Sequence, residues 1–467
     1  MLKRLKAFFG VKALIGNHPS QNLPSTKEVY LKTVRIAWPS AMEAILISLI
    51  GAIDMMMVGG IGTNAIAAVG ITTQPKFMFM SMVIALNMGT TVIVSRRKGA
   101  SDQEGANKAL RNALILSVTI SFFSSLLGYV YAQPILLFAG ASLDYLTDAM
   151  IYFRIILIGN FFYLIGLTIT AAQRGIGNTK ISMVTNISAN VVNIIFNYLL
   201  INGIWIFPRW GVMGAAVATA LGNGVSLILA IRSIIGQDSF LSLSLKQEWK
   251  LDSETVRSLW VISSSAFIEQ LFLRIGFLMY SKAVAGLGTL QFATHYIAMQ
   301  IMGITFSVGE GLSIATSSLV GQSLGAKRPD HAIIYGRASQ RMALVVSMVV
   351  SIGIVLTRRS LIGFFTTDPD IISLGSTVLI ILSGIVFFQI SQVITLGSLR
   401  GAGDVKFSAM LSLVSVTLVR PALTYLFAYS LNLGLYGAWY SVVVDQAIRF
   451  TVSRWRFHKA QWVKIEI

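Results

Sequence analysis

The sequence predicts an all-α polytopic membrane protein with twelve transmembrane helices, arranged as two parallel repeats of a six-helix lobe. Of its 467 residues, 55% are hydrophobic and only 12% are charged, whereas soluble domains carry about 25% charged residues. Apolar runs such as Leu114–Tyr131 and Val378–Leu396 are long enough to cross a bilayer as helices. The division into two lobes follows from an internal repeat.

The repeat is marked by two similar segments, Ala171–Lys180 (AAQRGIGNTK) and Gly397–Lys406 (GSLRGAGDVK). Aligning Arg174 with Arg400 gives an offset in residue number of 400 − 174 = 226. Three further pairs share this offset, namely Gly62 with Gly288, Gly99-Ala100 with Gly325-Ala326, and Phe161-Phe162 with Phe387-Phe388. Matches at one spacing over such a long stretch indicate a duplicated module.

The predicted helices follow from twelve apolar spans, at 36–58, 73–95, 111–132, 150–170, 182–202, 211–233, 260–282, 290–320, 340–363, 373–396, 408–430 and 434–452. They divide the chain into an N-terminal segment (1–35), an N-lobe with spans one to six (36–233), an inter-lobe linker (234–258), a C-lobe with spans seven to twelve (259–453) and a basic tail (454–467). The linker is placed in the long polar and charged stretch from Gly236 to Ser258.

Basic residues predict the orientation in the membrane. They cluster before the first span and after even-numbered spans, in the N-terminal tail, Arg96–Arg111, Arg174–Lys180, Arg232–Arg257, Lys327–Arg341, Arg400–Lys406 and Arg454–Lys464. Arg209, Lys282 and Arg358-Arg359 are outnumbered exceptions. By the positive-inside rule, both termini and the linker are expected in the cytoplasm, with the protein in the cell membrane. An even number of spans per copy makes the repeats parallel, as in many secondary transporters.

Several functional classes are disfavoured by composition. The chain has no Cys, and its four His residues (His18, His295, His331 and His458) lack a metal-binding spacing. No nucleotide-binding motif of the form G-x-x-x-x-G-K-[ST] occurs. We therefore expect no enzyme activity and no cofactor, with transport driven by an ion gradient or by the gradient of the solute. The net charge of +18 is explained by orientation in the membrane, without a nucleic-acid partner.

Asp54 is the first candidate functional residue. It lies among apolar neighbours in ISLIGAIDMMMVGG, where a charged side chain costs about 3 kcal/mol at the centre of a bilayer. Burial favours the protonated form of a carboxylate, which suits a proton carrier. The alternative is an acid at the outer end of the helix that reaches water among the lipid headgroups.

An amide stripe on the fifth span is the second candidate. Asn186, Asn190, Asn193 and Asn197 follow one another at steps of 4, 3 and 4 residues and so share one helix face. Such amides can hold helices together through hydrogen bonds. They can also offer carbonyl oxygens to Na⁺ or hydrogen bonds to Asp54.

Charged residues of the other spans form a third group. Glu43 and Glu269 are related by the repeat offset, 269 − 43 = 226. Asp445 and Arg449 are one helical turn apart, and Arg420 precedes Pro421 in the neighbouring span. These three residues form either a charge-neutralising packing cluster or a functional site. Glu310, between Gly309 and Gly311 in span eight, is a further candidate.

At its motifs the chain resembles the multidrug and toxic compound extrusion (MATE) family, of bacterial or archaeal type. The motifs occur in order over nearly the whole chain, as Trp38-Pro39, Asp54, Leu319–Ala326 (LVGQSLGA), Leu399–Asp404 (LRGAGD), Arg420-Pro421, Gly434–Trp439 (GLYGAW), Asp445 and Arg449. The resemblance implies two six-helix lobes around a central cleft. It also implies export of amphipathic, often cationic, organic compounds against inflow of H⁺ or Na⁺.

The resemblance also assigns residues. Asp54 resembles the cation-coupling aspartate of the N-lobe, and the family places Asn193, Asn197 and Thr219 beside it. Many relatives have an acid where Asn197 stands, and this departure favours H⁺ over Na⁺. Glu269, Arg274 and His295 resemble family positions in the second lobe, where they form either a structural network or part of the transport site.

The resemblance leaves a second function open, a flippase for a lipid-linked precursor as in sister families. Such a protein is expected to have a basic cleft for the head group, whereas the charges here are mixed or acidic. A membrane-embedded enzyme would need a nucleophile–base pair or a metal cluster, which the sequence does not show. The expected partners are small organic substrates and membrane lipids, with the protein as a monomer.

Overall fold

The computed structural model of the protein describes residues 7–15, 23–235, 239–243 and 249–465. Parts of the predicted N-terminal segment, of the linker and of the basic tail lie outside these described residues. Within them, every regular element is a helix. The helices are α1 (Val11–Ile15), α2 (Thr26–Gly59), α3 (Thr63–Gly99), α4 (Gln103–Val130), α5 (Ala132–Phe138), α6 (Leu143–Gly175), α7 (Thr179–Asn202), α8 (Gly211–Arg232), α9 (Ser253–Ala285), α10 (Thr289–Gly325), α11 (Pro329–Gly363), α12 (Pro369–Gly401), α13 (Val405–Ser412), α14 (Arg420–Thr424) and α15 (Gly434–His458).

The predicted fold class is confirmed. Each apolar span lies within one long helix or extends past its end by at most two residues. The helix of the eleventh span is composite: α13 and α14 are joined by the π-helical segment Leu413–Val419, and a second π-helical segment, Tyr425–Ser430, follows α14. By length and composition, ten of the long helices in the described part of the chain can cross a membrane. The chain is therefore a multi-pass membrane protein.

Most helices are longer than the apolar spans that predicted them. For example, α3 continues through Arg96, Arg97 and Lys98, which the sequence analysis placed in a connection. Lys and Arg are strong helix formers, and their positive charges interact favourably with the C-terminal end of a helix. Hydropathy therefore marks the apolar middle of each helix and misses its charged ends.

The repeated Arg-Gly-x-Gly motifs close the ends of α6 and α12 in the same way. An added Cβ on Gly175 would lie 2.8 Å from the backbone oxygen of Thr91, and one on Gly401 would lie 2.2 Å from that of Ser317. Thr91 and Ser317 are again related by the repeat offset, 317 − 91 = 226. Two residues on, Gly177 and Gly403 have φ values of 87° and 90°, which favour glycine. The first glycine thus permits close helix contact, and the second forms the turn.

The chain forms two compact units, unit N (Met42–Phe267) and unit C (Met1–Ala41 with Ile268–Ile467). Their boundaries differ by the repeat offset, 268 − 42 = 226, so α2 and α9 pass from one unit to the other at equivalent positions. Val29, Ile36 and Ala37 from the first part of α2 belong to the core of unit C. The first part of α2 thus belongs to unit C and its second part to unit N, whereas the first part of α9 belongs to unit N and its second part to unit C.

Candidate functional site

The structure brings the four predicted coupling residues of unit N together. Asp54 on α2 is partly buried, and the side-chain nitrogen of Asn197 on α7 donates a hydrogen bond to its Oδ1 at 2.9 Å. The carboxamide of Asn193 satisfies both of its polar atoms when its nitrogen faces Asp54, at 2.8 Å from Oδ1 and 3.1 Å from Oδ2. Its oxygen then accepts from the hydroxyl of Thr219 on α8 at 3.0 Å. Asp54 is therefore held by neutral donors.

An apolar layer covers this site on the side of the turn between α2 and α3. It contains Val58, Ile201 and Ala215, which are each four residues from Asp54, Asn197 and Thr219 respectively. Because four residues are one helical turn, the layer lies directly next to the polar site. Tyr152 of α6 belongs to the same layer and also experiences the charge of Asp54.

Lys76 is a residue of this site that the sequence analysis missed. It lies in the interior of α3, on the same helix face as Ala65 and Val69 of the apolar layer. The signal was present in the sequence, because Lys76 is a single basic residue in the apolar stretch QPKFMFM. A basic residue inside a membrane span is as costly as an acid and calls for the same scrutiny.

Glu43 has a separate set of partners, also in unit N. Ser182 donates to Glu43 Oε1 at 2.9 Å and accepts from Arg174 Nη1 at 2.9 Å. Asn186 donates to the same carboxylate oxygen. The amide stripe thus serves two acids, since Asn186 binds Glu43 while Asn193 and Asn197 bind Asp54. These bonds hold helices together and also surround each carboxylate with donors.

Glu269 occupies the matching position in unit C with a closer cation. It is fully buried, and Arg400 Nη2 donates to its Oε1 at 2.6 Å while Ser412 approaches at 3.4 Å. The repeat relates these partners to Arg174 and Asn186, because 400 − 174 and 412 − 186 both equal 226. The arginine of each Arg-Gly motif is therefore part of the environment of a buried glutamate, directly in unit C and through Ser182 in unit N.

The other predicted residues of unit C have different surroundings. Glu310 acts electrostatically on Arg400, so two carboxylates influence this guanidinium. His295 lies among aromatic rings, with centroid distances of 5.2 Å to Tyr280 and 5.6 Å to Trp439. Arg274 is exposed on α9, about 140° around the helix from the buried Glu269. The ion pair of Glu269 is thus with Arg400.

Asp445, Arg420 and Arg449 come together as a buried charged cluster in unit C. Arg420 Nε donates to Asp445 Oδ2 at 3.1 Å, and Arg420 Nη2 and the Ser415 hydroxyl also donate to this carboxylate. The guanidinium of Arg420 lies 5.1 Å from the ring centre of Phe277. Arg449 interacts electrostatically with Asp445. The π-helical turns next to Arg420-Pro421 reflect the missing N–H of proline.

The aspartates of the Asp54 and Asp445 sites lie on different helices of the repeat. Asp54 matches Tyr280 (280 − 54 = 226). The last helix of each unit begins at Gly211 and at Gly434, an offset of 434 − 211 = 223, so Asp445 matches Gly222. Of these two aspartates, unit N has one on its first long helix and unit C has one on its last. The partners differ in kind, since neutral amides bind Asp54 and an arginine binds Asp445.

Among the described residues, no group of three or more His, Cys, Asp or Glu side chains is placed so that it could hold a metal ion. The clusters above instead combine single carboxylates with amides, hydroxyls and basic groups.

Comparison with known proteins places the chain among membrane transporters. The family model MatE matches residues 39–199 and 265–426, and the starts of the two matches differ by the repeat offset, 265 − 39 = 226. The chain is 28% identical over 429 residues to the uncharacterized transporter YisQ of Bacillus subtilis, covering 92% of this chain and 94% of YisQ. It is 26% identical over 448 residues to the probable multidrug resistance protein NorM of Thermotoga maritima, covering 96% and 95% of the two chains.

Solved structures of other transporters have the same fold as this chain. One described as the outward-facing conformation of a multidrug resistance MATE family transporter has a TM-score of 0.86 at 22% identity, covering 97% of this chain and 98% of the other. A MOP superfamily transporter from Pyrococcus furiosus, described as having a binding pocket of reverse polarity, also has a TM-score of 0.86 at 22% identity, covering 98% and 99%.

Proposed function

Since the chain belongs to the MATE family, we propose that it is a secondary active antiporter that exports amphipathic and cationic organic compounds in exchange for inward H⁺, by alternating access. The family assignment and the NorM relatives support multidrug efflux as the activity. The flippase reading is not favoured, because the relatives are named as multidrug resistance proteins. The substrates would be small organic molecules, and the protein would act as a monomer among membrane lipids.

The observation that carries the coupling role is the set of neutral donors around Asp54. Asn193 and Asn197 both direct N–H groups at the carboxylate, and neither carries a charge. A carboxylate held in this way can take up and release a proton without breaking a close ion pair. Asp445 differs, because Arg420 binds it directly. We therefore assign coupling to Asp54 and charge-neutralising packing to the Asp445 cluster.

The same donors favour H⁺ over Na⁺ as the coupling ion. Hard cations are bound by oxygen ligands, whereas Asn193 and Asn197 present nitrogens to Asp54. The neutral Asn197 also supplies no second charge. H⁺ needs only the carboxylate oxygen itself, so the site suits H⁺.

Accumulation of ethidium in inverted membrane vesicles tests this function. An acid-inside gradient should drive ethidium uptake, and a Na⁺-inside gradient of equal size should leave uptake at the level without a gradient. Vesicles with the same amount of lipid but without the protein serve as the control. Uptake that requires Na⁺ would contradict proton coupling, and no protein-dependent uptake of ethidium or related organic cations under either gradient would contradict the export function.

A further inference from the structure

Lys76 faces the Asp54 site from α3. Ala65, Val69, Thr72 and Lys76 follow one another at steps of 4, 3 and 4 residues and so share one helix face. Ala65 and Val69 pack in the apolar layer next to Asp54, and Thr72 is buried. The face that carries Lys76 is therefore the face that α3 turns toward the interior of unit N.

The helix geometry brings the ammonium group of Lys76 toward the carboxylate of Asp54. Asp54 is five residues before the end of α2, and Lys76 is thirteen residues after the start of α3. This difference of eight residues separates their α-carbons by about 12 Å along the helix axes. Side chains on a helix point toward its N-terminus, which for Lys76 is the direction of Asp54. Among the described contacts, no hydrogen bond or ion pair joins the two side chains, so Lys76 would act on Asp54 through space.

Unit C lacks this arrangement. The residue that matches Lys76 is Met302, since 302 − 76 = 226, and the acid of that unit is bound directly by Arg420. Each unit thus has a basic side chain for its buried aspartate, supplied from a different helix. In unit C, Arg420 is in direct contact with Asp445. In unit N, Lys76 is not hydrogen-bonded to Asp54 among the described contacts, so the carboxylate remains free to bind and release a proton.

We propose that Lys76 is a tethered cation that excludes Na⁺ from the Asp54 site and thereby makes H⁺ the coupling ion. This inference rests on the coupling role proposed for Asp54. Na⁺ binding depends on electrostatic attraction to the carboxylate and on oxygen ligands. A nearby ammonium group repels Na⁺, and the N–H groups of Asn193 and Asn197 that face Asp54 occupy the place of oxygen ligands. A proton forms a covalent O–H bond with Asp54 and depends less on that field. Tyr152 and Thr219 also contribute side chains to the described part of the site.

The test is Na⁺ binding by the purified full-length protein in detergent. The thermal unfolding midpoint is followed as KCl is replaced by NaCl at constant ionic strength. In the parent protein we expect no Na⁺-specific shift. Lys76→Met, which installs the residue found at the matching position of unit C, should bind Na⁺ at least about tenfold more tightly and raise the midpoint. Asp54→Asn combined with Lys76→Met should abolish the gain.

Two control variants show whether an effect on Na⁺ binding is specific to the charge at position 76. Lys180→Met removes an exposed lysine of the same unit and should behave like the parent, while Lys76→Arg keeps the charge and should also exclude Na⁺. Should Lys76→Met not fold, Lys76→Gln carries the same test. A Na⁺-specific shift in the parent, or none in folded Lys76→Met or Lys76→Gln, overturns the proposal. This readout needs no transport, so a failure of ethidium uptake in vesicles would refute the antiport function separately.

Discussion

Asp54 and Asp445 show how the partners of a buried acid determine what it can do. Neutral carboxamides hold Asp54 in unit N, whereas Arg420 binds Asp445 directly in unit C. Separating a buried ion pair leaves an uncompensated charge and costs about 3–5 kcal/mol, so Asp445 is poorly suited to repeated proton exchange. Among the described residues, Asp54 has no such contact to break.

Asp54→Asn is therefore expected to uncouple transport while leaving the fold intact. The amide keeps the size and polarity of the side chain but cannot bind and release a proton. Ethidium should still bind, whereas its accumulation under an acid-inside gradient should fall to the level of vesicles without the protein, and substrate should no longer release protons.

The matched control for Asp54→Asn is Asp148→Asn, which changes an exposed acid of unit N. It should accumulate ethidium like the parent. Full proton-driven accumulation by Asp54→Asn would show that Asp54 is a structural acid.

The two repeat-matched glutamates should differ in their contribution to stability. Glu269→Gln leaves Arg400 without its closest counter-charge, whereas Glu43→Gln leaves Ser182 and Asn186 with a neutral acceptor in the same place. We expect a loss of about 2–3 kcal/mol for Glu269→Gln and about 1 kcal/mol for Glu43→Gln. Thermal unfolding of the purified variants in detergent measures both losses.

Each glutamate variant serves as the control for the other. Equal losses of stability would mean that the direct contact with Arg400 adds nothing. If Glu269→Gln instead unfolds like the parent but transports poorly, Glu269 is part of the transport site, the alternative reading of this residue.

The sequence supplied only part of this residue-level description. Asp54, Asn193, Asn197 and Thr219 could be grouped through the resemblance to a family. The partners of Glu269 could not, because Arg400 is 131 residues away and ion pairs between helices leave no periodic pattern in either helix. Lys76 could have been found as a basic residue inside an apolar span, but its place at the Asp54 site could not, because the two residues lie on different helices.

Among the elements, the first glycine of each Arg-Gly-x-Gly motif is a packing requirement. A side chain at position 401 would meet the backbone of Ser317 more closely than one at 175 would meet that of Thr91. The backbone cannot move aside as the end of a flexible side chain can, so the helices would have to separate.

Gly401→Ala is accordingly expected to lower the folded yield strongly, and Gly175→Ala to lower it less. Gly353→Ala provides the control, because no atom of the described residues outside the neighbouring helix backbone lies within 4 Å of its added Cβ. In a helix interior this change should be neutral or stabilise the protein by up to about 1 kcal/mol. Monodisperse yield on size-exclusion chromatography ranks the three variants, and a parent-like yield for Gly401→Ala would contradict the packing argument.

The helices themselves were largely predictable, and their irregularities were not. Long apolar spans marked the apolar middle of every long helix because each must bury about twenty residues in the bilayer. The start of α2 at Thr26 was missed because the segment before residue 36 is polar on part of its surface. The π-helical turns beside Arg420-Pro421 were also missed, since proline alone does not specify how a helix accommodates it.

For the whole molecule, the distribution of basic residues predicts that both termini and the linker share the cytoplasmic side. Reporter tags at the C-terminus and between Ser239 and Ser253 should therefore give the same cytoplasmic signal. A tag in the connection after Gly140 should give the opposite signal and serves as the control. A linker tag on the outer side would contradict the parallel arrangement of the repeats.

The aspartates of the two units also bear on how the chain arose. A duplication begins with two identical copies, so each mismatch between matched positions records a change in at least one of them. At the positions of Asp54 and Tyr280, and again at those of Gly222 and Asp445, one copy has an acid and the other does not. The two copies have therefore diverged at each of these positions. Each now carries its aspartate on a different helix, so the sites arose by separate changes after the duplication.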